Sequence, residues 1–209
     1  MSDRITQSLE IYDRWQFAWL CNARGLGRAL EVGTDRGTFA ARFMRRFTGI
    51  SLTCVDPYTP YHEMNWNRDA DFAMAITALA PYSDRARIAR ASSQEFHAAT
   101  APMEHARHPG YEYDFIYLDG DHTYDAVRRD IELWWPRVSS FGILAGHDYS
   151  GDHPGVVQAV QEFAEQHDRQ VLLTRDLDGP PSWYVYRADT PPDQLFYPQT
   201  VETVCTSSE

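Results

Sequence analysis

By hydrophobic and polar position alone, the chain alternates short apolar runs with longer stretches of helical spacing. RALEV at 28–32, SLTCV at 51–55, ARIAR at 86–90, FIYL at 115–118 and GILAG at 142–146 have the length and composition of buried parallel strands. Helical patterns lie between them, at 38–46, 68–79, a short one near Gln94, and 123–135. The last of these puts Val127, Ile131 and Trp134 on one face, with Arg128, Arg129 and Glu132 off it. Strand followed by helix, repeated, predicts a doubly wound α/β sheet.

After a further helix over 155–166 the rhythm changes. QVLLT and SWYVYR are separated only by RDLDGPP, too short for a crossover helix. This last pair is expected to form an antiparallel hairpin on an otherwise parallel, seven-stranded sheet. The reading is one domain, with an N-terminal helical extension over 1–25, a core over 26–187 and an irregular tail rich in proline, serine and threonine over 188–209. The amphipathic stretch LEIYDRWQFAWLCNA in the extension is expected either to cover the site or to form the seam of a homo-oligomer.

Composition narrows the class of partner. With 209 residues and 43% hydrophobic, the chain can bury one substantial core. The formal charge of −11 argues against nucleic-acid or anionic-membrane partners and leaves small molecules or proteins. All 19 basic residues are arginine, so lysine Schiff-base chemistry and a GxxxxGK[ST] phosphate loop are excluded. Three scattered cysteines with no CxxC pair suit a reducing compartment. The first twenty residues lack the apolar core of a signal peptide, so a soluble, cytoplasmic protein is expected.

The chemistry clusters at strand ends. The first strand runs into EVGTDRGTFA, where Glu31, Gly33 and Gly37 give ExGxxxG ahead of a helix start at Thr38. Glycines there permit a sharp turn and close approach to a ligand. The dinucleotide fingerprint GxGxxG is absent, because Asp35 stands where its second glycine would be. The second strand ends in Asp56, 23 positions after Gly33, where an acid can accept from a ribose diol. Together the two features point to a nucleoside-type cofactor. Asp119, Asp121, His122 and Asp125 crowd the end of the fourth strand, and His147 with Asp148 the end of the fifth.

ALEVGTDRGTFAARF, TCVDPY, RASSQEF, FIYLDGDHTYDAVRRDIELWWP and GILAGHDY, in this order, resemble the class I S-adenosylmethionine-dependent methyltransferases. The resemblance is to the bacterial methyltransferase family 24, with kinship to metal-dependent O-methyltransferases. It covers roughly residues 26–187. It implies that Glu31, Gly33, Thr34 and Gly37 face the methionine part of the cofactor, that Asp56 holds the ribose, and that Ser92 and Ser93 lie near the adenine. Asp119 would border the cofactor and, with Asp148, match the positions that hold a divalent cation in the metal-dependent members. His147 stands where those enzymes carry an acid, which leaves Mg²⁺ or Mn²⁺ expected and shifts preference toward Mn, Fe or Zn.

A cation chelated by the acceptor would lower the pKa of its hydroxyl. Without one, His122 is the candidate base. Asp121 and Thr123 are expected to cap the helix that follows. Asp152 and His153 follow in SGDHPG, a loop expected either to close over the acceptor or to be a plain turn, and YTPYHEMNWNRD is a candidate lid with Tyr58, His62 and Trp66. The leading expectation is a methyltransferase acting on an oxygen of a small molecule with cation assistance. The alternatives are a metal-independent enzyme using His122, and a non-catalytic cofactor-binding protein.

Overall fold

The predicted runs assemble into one mixed sheet with helices on both faces. The computed structural model describes residues 4–60, 67–107, 113–176 and 179–188. In chain order the strands are β1 (Ile5–Gln7), β2 (Arg28–Val32), β3 (Ser51–Asp56), β4 (Ala86–Arg90), β5 (Tyr113–Leu118), β6 (Val138–Gly146), β7 (Val171–Leu173) and β8 (Trp183–Tyr186). The helices are α1 (Phe17–Ala23), α2 (Thr38–Met44), α3 (Arg68–Leu79), α4 (Ser93–Arg107), α5 (Tyr124–Trp134) and α6 (Pro154–Gln166). Across the sheet the order is β1-β7-β8-β6-β5-β2-β3-β4, and only β8 runs antiparallel to its neighbours.

Side-chain alternation along β5 explains why both faces are covered. Phe115 and Tyr117 point into an aromatic layer with Phe17, Phe39 and Phe43, in which Phe39 stacks on Tyr117 with centroids 4.0 Å apart. Ile116 and Leu118 point the other way, into a layer with Val127, Ile131 and Trp134 of α5 and Val160 and Phe163 of α6. The chain winds from β2 toward β4 on one side and from β5 toward β8 on the other. β2 and β5 therefore flank the point where strand order reverses and a crevice opens at the carboxyl ends.

Main-chain bonds carry the ladder past the last strand residues. Gly33 N–H donates to Val55 O at 2.8 Å, Asp119 N–H to Val32 O at 2.7 Å, and His147 N–H to Leu118 O at 3.0 Å. Gly33 has φ +89, and a Cβ there would lie 2.0 Å from the Asp119 carbonyl oxygen. The glycine is thus required by the approach of another strand as well as by the turn. Gly37 takes φ +75 at the N-cap of α2, packed toward Ala75 of α3.

Several expectations need correction. The sheet has eight strands, because Ile5–Gln7 pairs in parallel with Val171–Leu173. Three residues in a polar context carry no usable periodicity, and the partner strand supplies the pattern. Among its described residues the N-terminal extension is accordingly α-helical only over Phe17–Ala23, preceded by a 3₁₀ turn at Arg14–Gln16. β6 starts four residues earlier than expected, with a register shift between Tyr113 and Phe115. α4 extends to Arg107 rather than stopping near Gln94. Thr123 occupies the N-cap of α5 without using its hydroxyl, while Asp121 Oδ1 accepts the Thr123 N–H at 2.9 Å. The irregular tail expected over 188–209 falls, beyond residue 188, outside the described residues. Among the described residues no helix is long and apolar enough to cross a membrane.

Gly33→Ala is expected to cost roughly 2–5 kcal/mol of stability, the sum of a disfavoured φ and a backbone clash. Chemical denaturation of the variant checks this, and a loss below about 1 kcal/mol would mean that the strand ends are not held so closely.

Candidate active site

A cavity of about 530 Å³ occupies the crevice at the carboxyl ends of β2, β3 and β5. Glu31, Gly33 and Thr34 line it from the first turn, Asp56 from the second strand, Ser92 and Ser93 from beyond β4, and Asp119 and His122 from beyond β5. Gly37 does not reach the lining; His147 lines a neighbouring cavity, and Asp148 borders the same corner through its contacts.

Glu31, one residue before the end of β2, is 1% exposed and lines the cavity. Its Oε2 has no hydrogen-bond partner among the described residues, and neither has the buried Thr34 Oγ1. Burial pushes its pKa up to about 8, against the opposing influence of Cys54 and Thr34. An uncharged acid with an unused oxygen fits a cationic ligand, which would draw it into its ionised form.

Asp56 is more occupied than the sequence suggests. Oδ2 accepts the Asp35 N–H at 2.9 Å and Oδ1 the Tyr58 N–H at 2.8 Å, while Arg68 Nη2 stands 3.3 and 3.4 Å from the two oxygens. Arg68 also pairs with Asp35 at 2.7 Å and with Asp71 at 2.9 Å. A ribose diol would share this carboxylate with Arg68. That arginine carried no signal in the sequence beyond opening a helix.

The serines are likewise engaged. Ser92 forms a capping box with Glu95, and Ser93 Oγ accepts the Trp134 indole N–H at 2.8 Å. Asp130, another lining residue missed in the sequence, is pushed up to about 6 by burial, partly offset by the influence of Ser93. Tyr58 is 1% exposed and donates its hydroxyl to Asp35 O at 2.9 Å, so it packs and does not present itself to an acceptor. His62 and Trp66 lie outside the described residues.

The second corner gathers imidazoles around Asp148, which adopts φ +57, a backbone region L side chains rarely visit. Its Oδ2 is 2.9 Å from His122 Nε2, and its Oδ1 is 3.0 Å from His147 Nδ1 and 3.6 Å from His153 Nε2. Asp119 Oδ1 stands 3.8 Å from both His122 Nε2 and His147 Nδ1. Burial opposes ionisation of Asp148, but His122 and His147 outweigh it and hold the carboxyl well below the usual range. Asp119 and then Asp148 push His122 up to about 10 against burial, so without a cation it is an acid at neutral pH. Asp119, His147 and Asp148 offer ligand atoms within 4.8 Å of one another, as do His122, Asp148 and His153. Arg14 Nη1 lies 2.6 Å from His147 Nε2. A guanidinium only donates, so Nε2 accepts and the imidazole proton sits on Nδ1, toward Asp148.

A family model described as a methyltransferase domain, methyltransferase family 24, matches residues 30–149, more than half of the chain. The chain belongs to this methyltransferase family. It is an S-adenosylmethionine-dependent methyltransferase, as the resemblance implied. Similar folds include a structure described as a candidate O-methyltransferase from Klebsiella pneumoniae, with TM-score 0.62, 15% identity and coverage of 84% of this chain and 80% of that one. An O-methyltransferase from Bacillus cereus in complex with SAH has TM-score 0.58, 16% identity and coverage of 83% and 80%. A methyltransferase from Geobacter sulfurreducens has TM-score 0.59, 15% identity and coverage of 85% and 80%. A search of curated protein sequences finds no match.

In this methyltransferase the buried Glu31 makes a pH-dependent signature. The folded state keeps its proton up to about 8, whereas the unfolded chain releases it near the ordinary 4.5. Between those values the folded state binds more protons, so this group lowers stability as pH rises. Glu31→Gln removes the penalty. Its stability relative to the parent is expected to rise by on the order of 3 kcal/mol between pH 5 and pH 8, measured by denaturation at each pH. A flat difference would mean that Glu31 is already charged in the fold.

Proposed function

We propose that this methyltransferase moves the methyl group of S-adenosylmethionine to an oxygen of a small-molecule acceptor, assisted by a divalent cation at Asp119, His147 and Asp148. The observation that carries the reading is the double position of Asp119, which lines the large cavity and also lies 3.8 Å from the His122 and His147 imidazoles beside Asp148. Cofactor and cation would thus share one wall, with the acceptor between them.

The cofactor supplies an electrophilic methyl on a sulfonium. The chain's part is to hold it and to bring an acceptor hydroxyl into line. Glu31 and Thr34 would receive the polar, cationic end, Gly33 would keep the turn close, Asp56 with Arg68 would take the ribose, and Ser92 and Ser93 would border the adenine. When bound, a cation supplies the positive charge that lowers the acceptor's pKa. Imidazole beside two carboxylates suits Mn²⁺ at least as well as Mg²⁺. To ligate through Nδ1, His147 would move its proton to Nε2, and Arg14 would have to withdraw from it. The metal-independent reading needs His122 as base, and the two carboxylates beside it keep it protonated. The relatives in O-methyl transfer support oxygen as the accepting atom.

Mn²⁺ binding read by electron paramagnetic resonance tests the cation. One tight site is expected in the parent, weakened about tenfold or more in Asp148→Asn, while S-adenosylhomocysteine affinity stays unchanged. Equal Mn²⁺ affinity in both proteins would place the cation elsewhere or remove it from the mechanism.

A further inference from the structure

Beside the large cavity lies a second of about 370 Å³, within the range of small-ligand pockets. Arg14 and Trp15 line both, and His147 joins the second to the carboxylate corner. Its remaining walls include Arg42 of α2 and, from beyond β7, Asp176 and Pro180. An acceptor whose hydroxyl reaches the corner at Asp119 and Asp148 would therefore extend its other end into this space.

The lining is built around one indole. The Arg42 and Arg14 guanidinium carbons lie over the Trp15 ring, 4.2 and 4.6 Å from its centroid. Arg14 spends one amino group on His147 Nε2. Arg42 has no hydrogen bond or carboxylate partner among the described residues, so its donor fork is unspent. Asp13 and Asp176 also line the cavity, so formal charge alone does not decide what binds. Unused hydrogen-bonding capacity does. Asp176 is committed, accepting from Arg14 N–H at 3.1 Å, from Ser182 N–H at 3.2 Å and from the Thr174 hydroxyl. The buried Asp13 Oδ1 is unpartnered but withdrawn from solvent. The Tyr12 hydroxyl also lines the cavity, but its cationic donors are those of the two arginines, in a chain whose net charge of −11 would otherwise repel an anion.

Resting on the methyl-transfer reading, we propose that the acceptor carries an anionic group, a carboxylate or a phosphate, and that Arg42 and Arg14, both placed over Trp15, receive it in this second cavity. Planar guanidiniums match the oxygen spacing of either anion, and the cation–π contact with the indole holds both beside the cavity before the ligand arrives. Arg42 would set acceptor specificity, and Arg14 would couple occupancy of the pocket to the state of His147.

The test uses benzoate and inorganic phosphate as probes, each titrated calorimetrically at constant ionic strength into the full chain, with and without S-adenosylhomocysteine. Saturable binding of at least one is expected, and the preferred probe distinguishes a carboxylate from a phosphate source. Arg42→Ala should weaken it about tenfold. Arg128→Ala, which removes an arginine paired with Glu132 on α5, should change nothing. S-adenosylhomocysteine affinity should be the same in the parent and in Arg42→Ala. Failure of both anions to saturate, or equal binding by parent and Arg42→Ala, overturns the proposal. A parent that binds the anion but not S-adenosylhomocysteine would count against the methyl-transfer reading instead.

Discussion

The site depends on three lateral main-chain hydrogen bonds made just beyond the strands. Val55 O, Val32 O and Leu118 O accept from Gly33, Asp119 and His147, at 2.7 to 3.0 Å. Each bond fastens the first residue of one loop to the end of the neighbouring strand, so the chemically active positions inherit the sheet's spacing. Gly33 makes this possible, because no side chain fits between it and the Asp119 carbonyl. From that line, Glu31 faces the large cavity, Asp119 stands at its wall, and His147 turns toward the second cavity.

Much of this was legible in the sequence, for a physical reason. Buried parallel strands must be apolar nearly throughout, and strand ends at a reversal of strand order are where polar residues become useful. RALEV followed by EVGTDRG, and FIYL followed by DGDH, therefore announce both the fold and the edge that carries the site. The final hairpin was legible because RDLDGPP is too short to cross over. β1 was not, since three residues hold no period and its pairing is supplied by Val171–Leu173. The partners of the site residues were equally hidden. Arg68 on Asp56, Arg14 on His147 and Trp134 on Ser93 are contacts across the fold, and no local spacing encodes them.

The charges also divide more finely than a count of acids suggests. Asp121 turns the chain into α5, Asp56 ties two loop amides and Arg68, and Asp148 is surrounded by imidazoles. Glu31, like Asp130, is buried with an unpartnered oxygen in the large cavity, and of the two it is Glu31 that burial pushes above neutrality. An unpaired buried acid is costly in the empty protein and becomes favourable when a cation arrives, which is the behaviour of a binding group and not of a structural one.

Proton release on cofactor binding is thus the most direct measurement. S-adenosylmethionine is titrated calorimetrically at pH 7 in two buffers of different ionisation enthalpy. Glu31 ionises as it meets the cationic part of the ligand, so the binding heat should differ between buffers by close to one proton's worth, and Glu31→Gln should abolish the difference. Binding with the same heat in both buffers, or no binding at all, would contradict the assignment of this cavity.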